Sequence, residues 1–568
     1  MEIVRRTLPS DPPELDARLH PVLRRILAAR GITDMTQLDY AMGGMLRPSG
    51  LGDLDSAARR LARAVAEGER TLIVGDFDAD GATGTALLVG ALRAMGHPNV
   101  DFVVPNRFDF GYGLSPRLVR HIAEQDQPEL LVTVDNGISS VTGVAEARSS
   151  GIEVIITDHH LPGADLPDAS AIVNPNLRGA EFPSKALAGV GVAFYVLAAT
   201  RAELARTGHF RAGRRAPNLG QFVDLVALGT VADLVPLDRN NRILVAQGLR
   251  RIRRNECRPG IRALLDVAGR DVGRVSATDL AFFVAPRLNA AGRLDDMSVG
   301  IRCLLTDDPA EARSLAAELD ALNRDRRRIQ EDMEQDALTD LEEIDSEDAV
   351  VCLFQPGWHQ GVVGLVASRV KEKLHRPVLA FAPDRPGSAT LKGSARSIPG
   401  FHIRDALAAV EALHPGLIDR FGGHAMAAGL SLDQANLPAF REAIQAYGQE
   451  HLSDDMLANR IQTDGELAAE DLSVDLALAL REWGPWGQGF PEPTFDGWFD
   501  ILDRRPIGTG HCKLRVAPRG TRRAIDALVF YRLPDEFEGS GPVRLVYQLE
   551  VNESLGQVTP QLLVRQVL

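Results

Sequence analysis

Cysteine is scarce in this sequence. Cys257, Cys303, Cys352 and Cys512 are the only four in 568 residues, and none stands in a CxxC pair. Isolated thiols exclude a disulfide scaffold and a zinc finger, and suit a reducing compartment. No apolar run approaches the roughly 20 residues that span a bilayer, so no membrane segment is expected. The opening Met1-Glu2-Ile3-Val4-Arg5-Arg6 leads to Pro9 and acidic positions, so no secretory leader is read there and a cytoplasmic location is expected. Basic charge is short as well: 63 Lys and Arg against 77 Asp and Glu leave a net −14. That balance argues against indiscriminate coating of nucleic acid, but not against a local basic cleft. Two clusters, Arg250, Arg251, Arg253, Arg254 with Arg258, and Arg324, Arg326, Arg327, Arg328, supply either such a cleft or plain solvated helix faces.

What is present is α/β alternation. Between about residues 50 and 235, Thr71–Gly75, Val100–Val104, Leu130–Val134 and Val154–Ile156, with a weaker Ala171–Val173, read as strands. Thr83–Met95, Pro116–Glu124 and Val141–Ser150 read as helices, the second with Ser115 as N-cap. Near-continuous apolar strands between helices predict a mainly parallel sheet covered on both faces. From Asp308-Pro309 to about Glu343, Leu315, Leu319, Leu322, Ile329, Met333 and Ala337 recur at helical spacing and predict one long connecting helix. A second α/β pattern runs from Val350 to about Tyr447. After about residue 460, Trp498–Leu502, Lys513–Val516, Ala524–Phe530, Val543–Val551 and Gln561–Val564 read as the strands of a small OB-type barrel. The expected fold class is α/β: two α/β lobes joined by a long helix, plus a C-terminal OB-type β-barrel. The expected division is 1–48, 49–306, 307–345 (helix), 346–452 and 453–568 (barrel).

The chemistry gathers where strands end. Asp76-Phe77-Asp78-Ala79-Asp80-Gly81, Asp135-Asn136-Gly137 and Asp158-His159-His160 each follow a strand, and in a parallel sheet those positions share the carboxyl edge. Crowded carboxylates repel unless cations separate them, and imidazoles among them favour a transition metal or Mn²⁺/Mg²⁺ over Ca²⁺ alone. Taken singly, helix capping by Asp80 and an Asx turn at Asp135 explain those motifs too. His159 and His160 are not expected to point the same way on an extended chain, so one ligates and the other meets substrate or a neighbouring group. Asp233, among apolar residues, needs a cation or donors. Arg107-Phe108-Asp109-Phe110-Gly111-Tyr112-Gly113 mixes a cation with aromatics as single-strand binders do, with Tyr112 the expected stacker; core packing explains Phe108 and Phe110 equally well. Trp483, Trp486 and Trp498 are read as interdomain packing.

Together with Val231-Ala232-Asp233, these motifs resemble the four motifs of the DHH phosphoesterase superfamily. Phe421-Gly422-Gly423-His424-Ala425-Met426-Ala427-Ala428-Gly429 resembles the glycine-rich motif of the associated DHHA1 domain. Pro286-Arg287-Leu288-Asn289-Ala290-Ala291-Gly292-Arg293, Trp358-His359-Gln360-Gly361 and Gly393-Ser394-Ala395-Arg396-Ser397 extend the likeness to the RecJ branch, the single-strand-specific 5′→3′ DNA exonucleases. The resemblance covers roughly residues 20 to 500.

The resemblance implies two divalent ions, Mn²⁺ or Mg²⁺, held by Asp76, Asp78, Asp80, Asp135, His159 and Asp233. It implies His160 on the scissile phosphate, and Asp135, Arg287, Arg293 and His424 in the catalytic set. It assigns Arg107, Tyr112, Asn289, Ser394, Arg396 and His424 to the DNA, with Ser394 and Arg396 on the 5′-terminal phosphate. The implied partners are single-stranded DNA, a single-strand-binding protein and a RecQ-type helicase, and the implied state is a monomer. Two other readings keep the scaffold: a hydrolase of pyrophosphate, short oligoribonucleotides or cyclic dinucleotides, and a Cdc45-type scaffold. The β-rich tail counts against the first, and the intact acids and histidines against the second.

Overall fold

Thr71–Gly75 (β1) is buried along its whole length, as is Leu130–Val134 (β3), because both lie inside a parallel sheet with helices on either face. A computed structural model describes residues 2–11, 13–106, 110–111, 113–211, 215–343, 348–508, 510–530, 532–537, 541–554 and 557–568. With Val100–Val103 (β2), Glu153–Thr157 (β4) and Ala171–Val173 (β5), the strands lie in the order β2-β1-β3-β4-β5. Gly75 pairs with Val134, Val134 with Thr157, and Thr157 with Val173. The residues that follow, Asp76, Asp135, Asp158 and Asn174, therefore step across one edge of the sheet. Chain order reverses between β1 and β3, the place where open α/β sheets bind ligands.

Three helices close on that edge. Ala79–Met95 (α1) leaves the aspartate turn with Asp78 as N-cap. Gly189–Arg206 (α2) is buried from Gly189 through Leu197, and Val223–Ala232 (α3) is buried on every side. Ala285–Leu294 (α4) carries the Pro286–Arg293 motif, and Pro309–Glu343 (α5) is the expected long helix, 35 residues in length.

The chain forms two compact units: residues 5–320 with 462–568, and residues 1–4 with 321–461. The barrel thus belongs to the unit that holds the parallel sheet. Its five strands close in the order Phe495–Ile507, His511–Pro518, Ile525–Phe530, Gln557–Val567, Val543–Ser554. Four of them outrun the expected runs because exposed polar residues continue the pairing past the apolar stretches, and Ile525–Phe530 starts one residue later than expected. In the other unit a five-stranded sheet is built from Val351–Phe354, Val378–Pro383, Thr390–Arg396, Ala427–Asp433 and Arg420–Gly423. Val363–Leu374 (α6) packs on its central strands.

Trp486 is buried as expected, stacked on Phe490 at 5.0 Å with Arg30 over its ring. Trp498 is not: it is 45% exposed on the barrel. Arg258, from the first arginine cluster, faces buried Asp224 and the Phe222 ring, and burial lowers its pKa; it is part of the core, not a channel wall. No described helix is long and apolar enough to cross a membrane.

Candidate metal centre

At the reversal point the acids converge. Asp80, His159 and Asp233 each offer a ligand atom within 4.8 Å of the others. So do Asp76, Asp78 and Asp135, and so do Asp135, His159 and His160. His159 Nε2 lies 3.0 Å from Asp135 Oδ1 and 3.5 Å from Asp233 Oδ2. Contrary to expectation, both imidazoles turn to one cluster: His160 Nδ1 is 4.0 Å from the same Asp135 oxygen, and the ring centroids are 4.5 Å apart. The strand has ended at Thr157, so the alternation of an extended chain no longer separates neighbouring side chains.

Local structure aims each group. Asp135 adopts a left-handed backbone (φ 62°), which brings its carboxylate back over the sheet edge. Only glycine fits beside it at the start of α2, since a Cβ on Gly189 would come within 2.6 Å of Asp135 Cβ. Asp78 accepts the Asp80 and Gly81 amides and so caps α1. Asp80 accepts the Gly189 and Val190 amides at 2.6 and 3.0 Å, the first free N–H groups of α2. Asp233 is the C-cap of α3.

The electrostatics call for a cation. Burial, then the charge of Asp78, pushes the Asp80 carboxyl up to about 7 despite its two amide donors. Burial, then Asp80, Asp78, Asp233 and Asp76, drives Asp135 well above the carboxylate range, and Asp233 is raised in the same way. Oxygen donors in this number with one or two imidazoles fit Mn²⁺ or Mg²⁺. Asp158 plays another part. Burial alone would raise its carboxyl, but the His160 ring and the Ile138 amide hold it below the ordinary range. Its Oδ1 meets His160 Nδ1 at 2.8 Å, and although burial opposes it, that contact carries the imidazole up to about 9.

Sequence reasoning missed two groups. Asn174 Nδ2 donates to the His160 carbonyl at 2.9 Å, and Asn176 Nδ2 to the His159 carbonyl at 2.6 Å. An asparagine on either side of Pro175, just past a strand, was the available signal.

The remaining expected residues fall in three places. Asn289 accepts the Ala79 amide at 2.8 Å and so supports the aspartate turn. Arg287 is buried in a pair with Asp320 at 2.8 Å and donates to the Phe283 carbonyl. Arg293 is half-buried in the last turn of α4. Ser394, Arg396 and His424 lie in the other unit. Arg396 donates to Ser394 Oγ at 3.0 Å and pairs across the sheet with Ala427, whose carbonyl accepts the His424 amide. Burial lowers the Arg396 pKa, and among the described residues no carboxylate pairs with it. Gly364 leaves room for both, since a Cβ there would meet Ser394 Oγ at 2.8 Å and the Arg396 guanidinium at 2.9 Å. Arg107 and Tyr112 lie outside the described residues.

The sheet edge and its acid–imidazole cluster define the class as a DHH-type phosphoesterase. Residues 70–230 match the DHH family N-terminal domain, 347–450 the DHHA1 domain and 463–566 the RecJ OB domain. The chain belongs to the RecJ family. It is 50% identical to the single-stranded-DNA-specific exonuclease RecJ of Escherichia coli strain K12, over 99% of this chain and 98% of that one. It is 36% identical to the enzyme of Thermus thermophilus, over 91% of this chain and 73% of that one. The crystal structure of Thermus thermophilus RecJ in complex with Mn²⁺ superposes with a TM-score of 0.80 at 32% identity, over 97% of this chain and 76% of that one. A structure of exonuclease RecJ bound to manganese gives 0.60 at 38% identity, over 72% and 97%.

Proposed function

We propose that this chain is a metal-dependent exonuclease that digests single-stranded DNA from its 5′ end, releases 5′-mononucleotides, and serves DNA repair and recombination. The observation that carries the reading is the convergence of Asp76, Asp78, Asp80, Asp135, His159 and Asp233, from four distant stretches, within ligating distance. These six would hold two divalent ions, Mn²⁺ or Mg²⁺. When bound, such ions polarise the phosphate and lower the pKa of a water. The chain's own residues do the rest. His160, oriented by Asp158 through its Nδ1, would turn its other ring nitrogen to the scissile phosphate. Asn174 and Asn176 hold the backbone of both histidines. Ser394 and Arg396, with His424 on the adjoining hairpin, would receive the 5′-phosphate, and Arg293 would meet another phosphate of the strand. Hydrolysis breaks the bond from phosphorus to the 3′-oxygen of the terminal nucleotide.

The test is a time course on 5′- and 3′-labelled DNA, single- and double-stranded, with and without Mn²⁺. Release from the 3′ end, or equal digestion of duplex, would overturn the reading. We further infer a cytoplasmic monomer that works beside a single-strand-binding protein and a RecQ-type helicase. Light scattering of the purified chain tests the monomer.

A further inference from the structure

Immediately after Asp233 the chain turns through Leu234 in the left-handed region, with φ 56°. Helices that end this way usually place glycine there, because a Cβ crowds the following carbonyl. Of the five described non-glycine residues at positive φ, Leu234 alone is apolar. Burial does not compensate, for the residue is 56% exposed.

Just past the turn the chain is held at Pro236 and Leu237. The Leu237 amide donates to the Gln488 carbonyl at 2.6 Å, Asn241 Nδ2 to the Pro236 carbonyl at 2.9 Å, and Arg242 to the Leu237 carbonyl at 2.9 Å. None of these bonds involves the Leu234 side chain, and a strained, exposed apolar residue next in the chain to a candidate ligand points to a ligand of its own. Leu161 has the same setting: it directly follows His160 and is 62% exposed. Each leucine thus follows in the chain a residue of one cluster: Leu161 follows His160, and Leu234 follows Asp233, whose Oδ2 lies 3.5 Å from His159 Nε2.

We infer that Leu234, with Leu161 as its companion, seats the base of the nucleotide being removed. This rests on the exonuclease reading above and deepens it. Pairing fixes a terminal base against its partner strand and the next pair, whereas an unpaired terminal nucleotide is free to turn and lay a face against an apolar side chain. Leu234 is then a specificity residue, selecting unpaired 5′ ends next to the metal cluster.

The test compares Leu234→Gly and the conservative Leu234→Met with the wild-type full chain in Mn²⁺, on single-stranded DNA with ordinary and with abasic 5′-terminal nucleotides. Leu234→Gly should melt at the wild-type temperature or higher, yet raise KM on ordinary single strands about tenfold. On abasic ends it should match wild type, and Leu234→Met should remain near wild type throughout. Unchanged KM in Leu234→Gly would overturn the proposal, as would an equal loss on abasic ends or a fall in melting temperature that accounts for the loss. A wild-type chain inactive on any single strand would instead overturn the exonuclease reading.

Discussion

His159 Nε2 stands 3.0 Å from Asp135 Oδ1 and 3.5 Å from Asp233 Oδ2, so one imidazole joins a carboxylate at the end of a central strand to one at the end of a helix. Removing either end of that link should stop the chemistry and spare the fold. For His159→Ala and Asp135→Asn we expect a drop in exonuclease rate of about a thousandfold or more, equivalent to ~4 kcal/mol of transition-state stabilisation. Melting temperature without metal should hold or rise, because Asp135→Asn relieves a buried repulsion. Near-normal digestion by either variant would refute the assignment.

Metal, proton and stability are linked. Asp80 is raised to about 7, and Asp135 and Asp233 also lie well above the usual value near 4, so the folded metal-free state holds protons more tightly than the unfolded chain. Their contribution to stability is fully present below about pH 4 and is lost as pH rises through the raised folded-state values, about 7 for Asp80. In EDTA, melting temperature should therefore carry a downward slope from this cluster between pH 5 and 8. Mn²⁺ should raise it more at pH 8 than at pH 5.5. An equal Mn²⁺ effect at both values would contradict the linkage.

Asn176→Ala and Asn174→Ala free the backbone carbonyls of His159 and His160. Each should weaken Mn²⁺ binding by roughly 10–100-fold, the usual effect of removing a group that orients a ligand. Rate at saturating Mn²⁺ should recover in large part. Calorimetric titration with Mn²⁺ measures the first effect and a metal-dependent rate curve the second.

Gly292 explains why the Pro286–Arg293 motif matters without touching metal. A Cβ there would collide with the carbonyl oxygen of Phe77, inside the aspartate turn. Gly292→Ala should displace that turn, lower the melting temperature, and cut activity by about tenfold or more through misplacement alone. Wild-type kinetics in this variant would show that the turn tolerates the shift.

Much of this arrangement was legible in the residues. β1, β3 and β5 match their apolar runs end to end, and α5 ends where its periodicity ends. The aspartate and histidine motifs stood just past strands, so their convergence followed from parallel topology. Other features left no local trace. α3 is buried on every side and shows no amphipathic stripe. The donors to Asp80 are backbone amides of Gly189 and Val190, which no side chain announces. The pairing of Arg287 with Asp320 left no trace because the two lie on different helices. The exposure of Trp498 was hidden for a related reason: its strand is apolar enough to read as buried.

The most direct measurement is the Mn²⁺ stoichiometry of the purified chain, by equilibrium dialysis with elemental analysis, in wild type and Asp135→Ala. Two ions per wild-type chain, with fewer in the variant and a parallel loss of nuclease, is the expected result. Digestion of single-stranded DNA by a chain stripped of all divalent metal would contradict it.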